Sequence, residues 1–413
     1  MDVRRLLILL FLLLAAGCSP GAGKTETPTS THTPEPRLSI GTATATATQY
    51  FHPSSTPTPA YTPLPPTPTP TVQPVYLNAL VFASDPQVPV LTYHQFAPDT
   101  APTSHALKVR LSDFRDQLQQ LYDSGYSLVS LEDWISGKLE TPVGKRPLIL
   151  SMDDLFYNNQ ITLLEDGSPD PETGIGVLWQ FYQEHPDFGF KLALFASLGD
   201  KLYANPDDPG WQDSLARAIA WCIDHQAMVY NHFYTHPRLD LTQPKDITWE
   251  AQMNDLYLRK LLKRISREDL IPKLQNIFAL PFGVWPEKRS AQNALLEYTG
   301  PEGKALQGVM EIDYIIRPKF LLPPFMPGFD RWHLPRIVST QSAIDYLVDH
   351  RDQFPRAEEC ALGPVDETML GAAGYIEGQV SLAQGQEKCP QGIYIISGKT
   401  YRTQDSKVKE VYP

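Results

Sequence analysis

The sequence predicts an α/β fold in which parallel strands alternate with helices packed outside a sheet or barrel, preceded by a disordered stalk. Three observations predict it. From about Tyr76 onward, short apolar β-rich runs alternate with segments of helical period. Acidic and histidine clusters fall where those runs end, and parallel α/β folds gather their chemistry at strand ends. Before Tyr76 the composition changes, because residues 19–75 hold 13 of the 39 prolines together with 15 threonines.

Taken in order, Arg4 and Arg5 precede the unbroken apolar run Leu6 to Ala16, which leads into Gly17 and Cys18. A charged start, an apolar stretch of about ten residues and a small-residue exit form an export signal, assigned here to 1–17. The run is shorter than the roughly 20 apolar residues a membrane-spanning helix needs. Residues 18–75, with TPTSTHTPEP, TATATAT and TPTPAYTPLPPTPTPT, lack the apolar content to offset the entropy of ordering them. Thr-Pro repeats favour extended polyproline conformations, so this segment reads as a stalk or a plain linker.

The folded part follows. VPVLTYH (88–94) is a strand candidate, and DFRDQLQQLYDSGY (113–126) a helix, with Phe114, Leu118, Leu121 and Tyr122 at helical spacing before Gly125. RPLILSMDD (146–154) is a second strand. KLALFAS (191–197), QAMVYN (226–231) and QNIFALPFG (275–283) are further strands, with helices over VLWQFYQEH and DSLARAIAWCIDH. Residues 76–340 are assigned to the main domain and 341–413 to a small β-rich extension. Cys360 and Cys389 there can pair, since disulfides are permitted outside the cytoplasm, whereas Cys222 reads as a buried free thiol.

The formal net charge is −12, and the basic residues of the folded part number 31 against 44 acidic ones. A domain this acidic lacks the basic face of a nucleic-acid binder. No nucleic-acid partner is expected.

Two strand ends carry the candidate chemistry. Asp153 and Asp154 close a hydrophobic strand, and its period of two sends their side chains to different sides. One carboxylate can enter a metal shell while the other faces bound water, although an Asp pair can also simply end a strand. His232 and His236 follow the strand QAMVYN four residues apart, a spacing that puts two imidazoles on one face as a metal clamp. An Asp with two His and an open position makes a catalytic first shell for zinc or a similar divalent ion.

These residues resemble the motifs of the NodB-type polysaccharide deacetylases over roughly Val88 to Ile337. Ser151-Met152-Asp153-Asp154 resembles the first motif, His232-Phe233-Tyr234-Thr235-His236 the second, and Ala279-Leu280-Pro281-Phe282-Gly283 the third. PVLTYH and WHLPRI (332–337) are similar to stretches found early and late in that family. The resemblance implies a distorted parallel (β/α) barrel and a metal-dependent removal of N-acetyl groups from a cell-wall or extracellular polysaccharide. It implies that Asp154, His232 and His236 hold the metal, zinc with cobalt or nickel as alternatives. Asp153 is then the general base, and a backbone N–H near Phe282 stabilises the oxyanion. The partner it implies is an N-acetylated glycan, bound by a monomer.

The ending Leu14 to Cys18 resembles a bacterial lipobox, which implies lipidation at Cys18 and a membrane partner reached through that anchor. The protein is then extracytoplasmic, facing the cell wall or periplasm. The chain departs from the family in three places. Leu155 stands where glycine is common, which is expected to narrow the groove. Ala279 replaces an arginine that orients the catalytic Asp, a role open to Arg336, which can equally sit in a structural ion pair. No L-x-H motif supplies the acid for the leaving amine; His333 is not placed for it, and His94 is expected to make a structural hydrogen bond. The alternative reading is therefore a non-catalytic, glycan-binding lipoprotein of the same fold. Phe156, Tyr157, Phe233, Tyr234, Trp285 and Trp332 are candidate stacking surfaces for sugar rings.

Overall fold

The computed structural model describes residues 75–412 apart from 103, 105–106, 156, 200–208, 313–317, 366–389, 397–398 and 405–406. The expected signal 1–17, Cys18, the stalk up to residue 74, Phe156 and Cys389 lie outside the described residues.

The strand Arg146–Asp154 is the longest of the main sheet and is buried along nearly its whole length, as befits a parallel strand covered on both faces. Its period of two sorts the core. Leu148, Leu150 and Met152 point outward into a cluster with Phe114, Leu118, Phe181 and Ile219 of the covering helices. Ile149 points the other way, into an interior cluster with Val90, Ala193, Phe195, Tyr230, Ile277, Ala279 and Met310. The helix Leu111–Asp123 presents Leu111, Phe114, Leu118 and Leu121 inward. It ends before the expected stop at Gly125 (φ 83°), which turns the chain, and Tyr126 opens the strand Tyr126–Leu128.

In sheet order the strands are Gly308–Met310, Ile277–Ala279, Ala227–Asn231, Leu192–Ala196, Arg146–Asp154, Val90–Tyr93 and Ile337–Val338. Tyr126–Leu128 pairs with the start of Arg146–Asp154, and all these pairings are parallel. The two edges meet. Leu334, just ahead of Ile337–Val338, bridges Met310 on the opposite edge, with Leu334 N–H donating to Val309 (2.9 Å) and Glu311 N–H to Leu334 (2.8 Å). The sheet thus closes as a distorted (β/α) barrel. Gly308–Met310 and Ile337–Val338 were not visible as periodic runs, since two or three residues carry no period and their pairing is set by neighbours.

A second, antiparallel sheet has the order Ala357–Val365, Val75–Phe82, Ile393–Ile396, Lys399–Gln404, Lys407–Tyr412. The strand that opens the described chain is therefore held on both sides by strands from its end. Phe82, Ala357 and Ile393 of this sheet join the barrel's interior cluster beside Val88 and Val90. Cys222 is a buried free thiol in the helix Trp211–Asp224, and Cys360 is disulfide-bonded. Among the described residues no helix is long and apolar enough to cross a membrane.

Phe82 tests the join between the two sheets. Its side chain is fully buried, so Phe82→Ala is expected to cost about 3–5 kcal/mol through lost transfer energy and a cavity. Chemical denaturation followed by circular dichroism checks this; a midpoint within error of the parent protein would contradict the shared core.

Candidate active site

Asp153 and Asp154 end the barrel's longest strand, and parity decides their surroundings. Asp153 shares the interior side with Ile149 and Ser151, and it is 2 % exposed. Asp154 falls on the other parity and lies at the rim, half-buried, where the backbone turns with φ 71°.

Two strands away, Ala227–Asn231 delivers His232, which is buried, and a short loop then returns His236 to the same spot. The two imidazoles approach edge to face at 4.8 Å between centroids. His232 Nδ1 donates to the Ala279 carbonyl at 2.9 Å, which fixes the tautomer and turns Nε2 into the site. His232 Nε2 and His236 Nε2 lie 3.4 and 3.3 Å from Asp154 Oδ1. That buried oxygen receives no hydrogen bond of good geometry, although the His232 ring lies close enough to lower the Asp154 pKa against the effect of burial.

Three ligand-type atoms within 4.8 Å of one another fit a divalent cation. A tetrahedral zinc site with bonds of about 2.0–2.1 Å has ligand–ligand edges of about 3.3–3.4 Å, and both measured edges match. An uncompensated buried carboxylate oxygen is costly, and a cation among these atoms removes that cost. Three protein ligands also leave the open position of a catalytic rather than a structural site. Burial disfavours a charged His232, but Asp153 and Asp154 outweigh it and raise its affinity for a proton. The same carboxylates attract a metal cation.

Arg336 lies on Asp153. It is fully buried, donates from Nη1 to Asp153 Oδ1, and is anchored by Nε to the Glu311 carbonyl at 3.0 Å. Its guanidinium also covers the Phe195 ring, 5.1 Å from the centroid. Burial alone would raise the Asp153 pKa, yet Arg336, His232 and His94 together hold that carboxyl below its usual range. Asp153 Oδ1 is committed to Arg336, so Oδ2 is the oxygen that faces the imidazoles, 3.9 Å from His94 Nε2 and from His232 Nε2.

His94 departs from expectation. Its buried Nδ1 has no hydrogen-bond partner, so the ring makes no structural bond there and instead lies beside Asp153. Burial lowers its pKa, against the pull of the nearby Asp153 and Asp154 carboxylates. Leu155 departs too. Its side chain is fully buried in the outer core and does not narrow the groove, although its φ of 45° shows why glycine suits the position.

Phe282 sits in the tight turn Pro281–Gly283 that follows Ile277–Ala279, 52 % exposed, with its ring 4.6 Å from that of His236. A side chain on Gly283 would strike Ile312 at 2.2 Å. Among the described residues, seven non-glycines have positive φ, and five of them, Asp154, Leu155, Phe233, His236 and Phe282, surround this site. Unfavourable backbone is concentrated where strands end and the chain must turn sharply.

The structure thus brings together Asp153, Asp154, His232, His236, Phe282 and Arg336. It adds Glu311, which sequence reasoning missed because it follows a three-residue strand. Glu311 holds Arg336 through its carbonyl, while its carboxylate accepts from Trp285 Nε1 and from His333 Nδ1 (2.6 Å). His333 is thereby tied to the rim. Phe233 is fully buried against Phe278 and offers no face to a sugar.

No family model matches the chain, and no curated protein matches it in sequence. Among solved structures it is similar to a polysaccharide deacetylase from Bacillus cereus, with 16% identity, TM-score 0.43, and 64% of this chain and 69% of that one covered. It is similar to IcaB from Ammonifex degensii, with 16% identity, TM-score 0.43, and 64% and 97% covered. It is also similar to the Streptococcus pyogenes deacetylase PplD in complex with acetate, with 17% identity, TM-score 0.40, and 62% and 92% covered.

Proposed function

We propose that this chain is a metal-dependent hydrolase that removes N-acetyl groups from a cell-wall or extracellular polysaccharide. The observation that carries the reading is the convergence of Asp154 Oδ1, His232 Nε2 and His236 Nε2 beside a second carboxylate, Asp153, that is held by its own buried arginine.

Asp154, His232 and His236 are the residues that would hold the cation. A divalent ion there supplies Lewis acidity to the acetamide carbonyl and makes water acidic enough to deprotonate near neutral pH. Asp153 Oδ2 takes the proton of the attacking water, since Arg336 occupies Oδ1 and fixes the carboxylate plane. The backbone N–H of Phe282 serves the developing oxyanion, a role worth about 2.7–4 kcal/mol where such donors have been removed. Asp153 then returns its proton to the departing amine.

We also propose that Cys18 is lipidated and that residues 18–75 tether the hydrolase outside the cytoplasm, on the strength of the run Leu6 to Cys18. Several acyl chains suffice for stable anchoring, because each buried methylene adds about 0.8 kcal/mol. Cys18→Ser is expected to abolish acyl labelling and move the protein from the membrane to the soluble fraction. Labelling that persists in the variant refutes the anchor.

Asp153→Asn keeps shape and volume but removes the proton acceptor. Acetate release from N-acetylated glycans is expected to fall about 10²–10⁴-fold with metal content unchanged. A variant within a few-fold of the parent would remove Asp153 from the chemistry. A metal-loaded parent that binds such glycans yet releases no acetate would favour the non-catalytic reading.

Arg336→Met leaves the buried Asp153 charge without its main partner. Since Arg336 lowers the Asp153 pKa, its loss raises it, and the acidic limb of the pH–rate profile moves to higher pH. The depressed pKa also stabilises the fold above the carboxyl's unfolded-state pKa, and that stability is lost as pH falls through the folded value. At neutral pH the variant is expected to lose about 3–5 kcal/mol of stability. Profiles from pH 4 to 9 and denaturation at pH 7 check both; an unmoved limb would separate Arg336 from the base.

A further inference from the structure

The helix Pro244–Arg264 packs Ile247, Ala251, Leu258, Leu261 and Leu262 inward, yet the same face buries Glu250 and Asn254 one turn apart. A carboxylate and an amide on an apolar helix face are unfavourable unless fully bonded. Glu250 is bonded to the loop between the two histidines, and Asn254 to the end of Leu192–Ala196 and to Asn231, the residue before His232. Glu250 accepts from the Thr235 backbone N–H through Oε2 (2.7 Å) and from the Thr235 hydroxyl through Oε1. Asn254 accepts from Leu198 N–H (2.8 Å) and donates to Ala196 O (2.7 Å) and Asn231 Oδ1 (3.0 Å). Asn231 in turn accepts from Phe233 N–H (2.8 Å) and donates to the helix carbonyl of Ala251 (2.9 Å). Among the described residues, no lysine or arginine pairs with Glu250, so its charge is met by these loop donors.

The residues on either side of His232, and the residue just before His236, are thus all tied directly or through Asn231 to one helix. We infer that Glu250 and Asn254 are positioning residues that set the separation of the two imidazoles and thereby the affinity and geometry of the metal centre. Neither touches the Asp154, His232, His236 ligand atoms. They act through Thr235 and Asn231, whose backbones carry the strained turns at Phe233 (φ 63°) and His236 (φ 54°). Without the helix anchor those turns relax, and His236 leaves the 3.3 Å edge it forms with Asp154.

The inference rests on the metal reading, and cobalt(II) titration of the full chain tests the two separately. Visible absorption reports coordination geometry, and far-ultraviolet circular dichroism reports the fold. Glu250→Ala is expected to bind cobalt(II) about 10–100-fold more weakly, as loss of a partner outside the ligand shell typically does, with an altered visible spectrum. Glu250→Gln, which keeps the shape and one acceptor oxygen, restores affinity to within a few-fold of the parent. A folded Glu250→Ala protein with parental affinity and spectrum overturns the inference. Should that variant fail to fold, Thr235→Val, which removes one hydroxyl donor at an exposed residue, decides: weaker binding supports the inference and unchanged binding overturns it. A parent protein that takes up no cobalt(II) brings down the metal reading and the inference together.

Discussion

Asp153 is a carboxylate inside a barrel, and everything around it follows from the cost of that position. Removing such a charge from water costs several kcal/mol even after relaxation, so a compensating charge and dipoles must be held in place before the ligands can converge. Arg336 provides the charge, Glu311 holds Arg336, and the edge-to-edge bridge at Met310 and Leu334 holds Glu311. Barrel closure and the electrostatics around Asp153 are therefore the same set of contacts. The segment that seals the sheet also delivers the arginine that keeps Asp153 ionised.

The second half of the site is built on a different plan. His232 and His236 lie on a loop with two left-handed residues, and such a loop has no reason of its own to bring two imidazoles together. Order comes from outside, from a helix whose buried polar residues bond to the loop and from the Ala279 carbonyl that orients His232. The carboxylate half is rigid because it ends a long buried strand. The imidazole half is rigid because other elements hold it.

This difference explains what was legible beforehand. Asp153 and Asp154 are adjacent, His232 and His236 are close in sequence, and each pair sits at a strand end, so each pattern is local and readable. Arg336 is far from Asp153 along the chain and was open to two readings; only the closed barrel puts it on the carboxylate. Glu250 and Asn254 gave no signal, because a Glu and an Asn on an amphipathic helix look like a solvated face until the packing shows which way they point. The five central strands were visible from their apolar runs, whereas the short strands at 308–310 and 337–338 exist only through pairing. From sequence His94 reads as a bonded structural ring, since sequence shows the residue but not the missing partner at Nδ1.

The strand Val75–Phe82 pairs with Ala357–Val365 on one side and Ile393–Ile396 on the other, so the strand that opens the described residues meets strands far along the chain. Contacts of such sequence separation are slow to form, since loop-closure entropy must be overcome before they contribute anything. The nine-residue barrel strand and its helices can condense from nearer contacts, but the antiparallel sheet around Val75–Phe82 needs Ala357–Val365 and Ile393–Ile396. Until then Val75–Phe82 is an unpaired strand with Phe82 withheld from the barrel interior, the kind of species that aggregates. Pairing of Val75–Phe82 with strands so distant along the chain thus adds slow, non-local contacts to assembly, far from Asp153 and its neighbours.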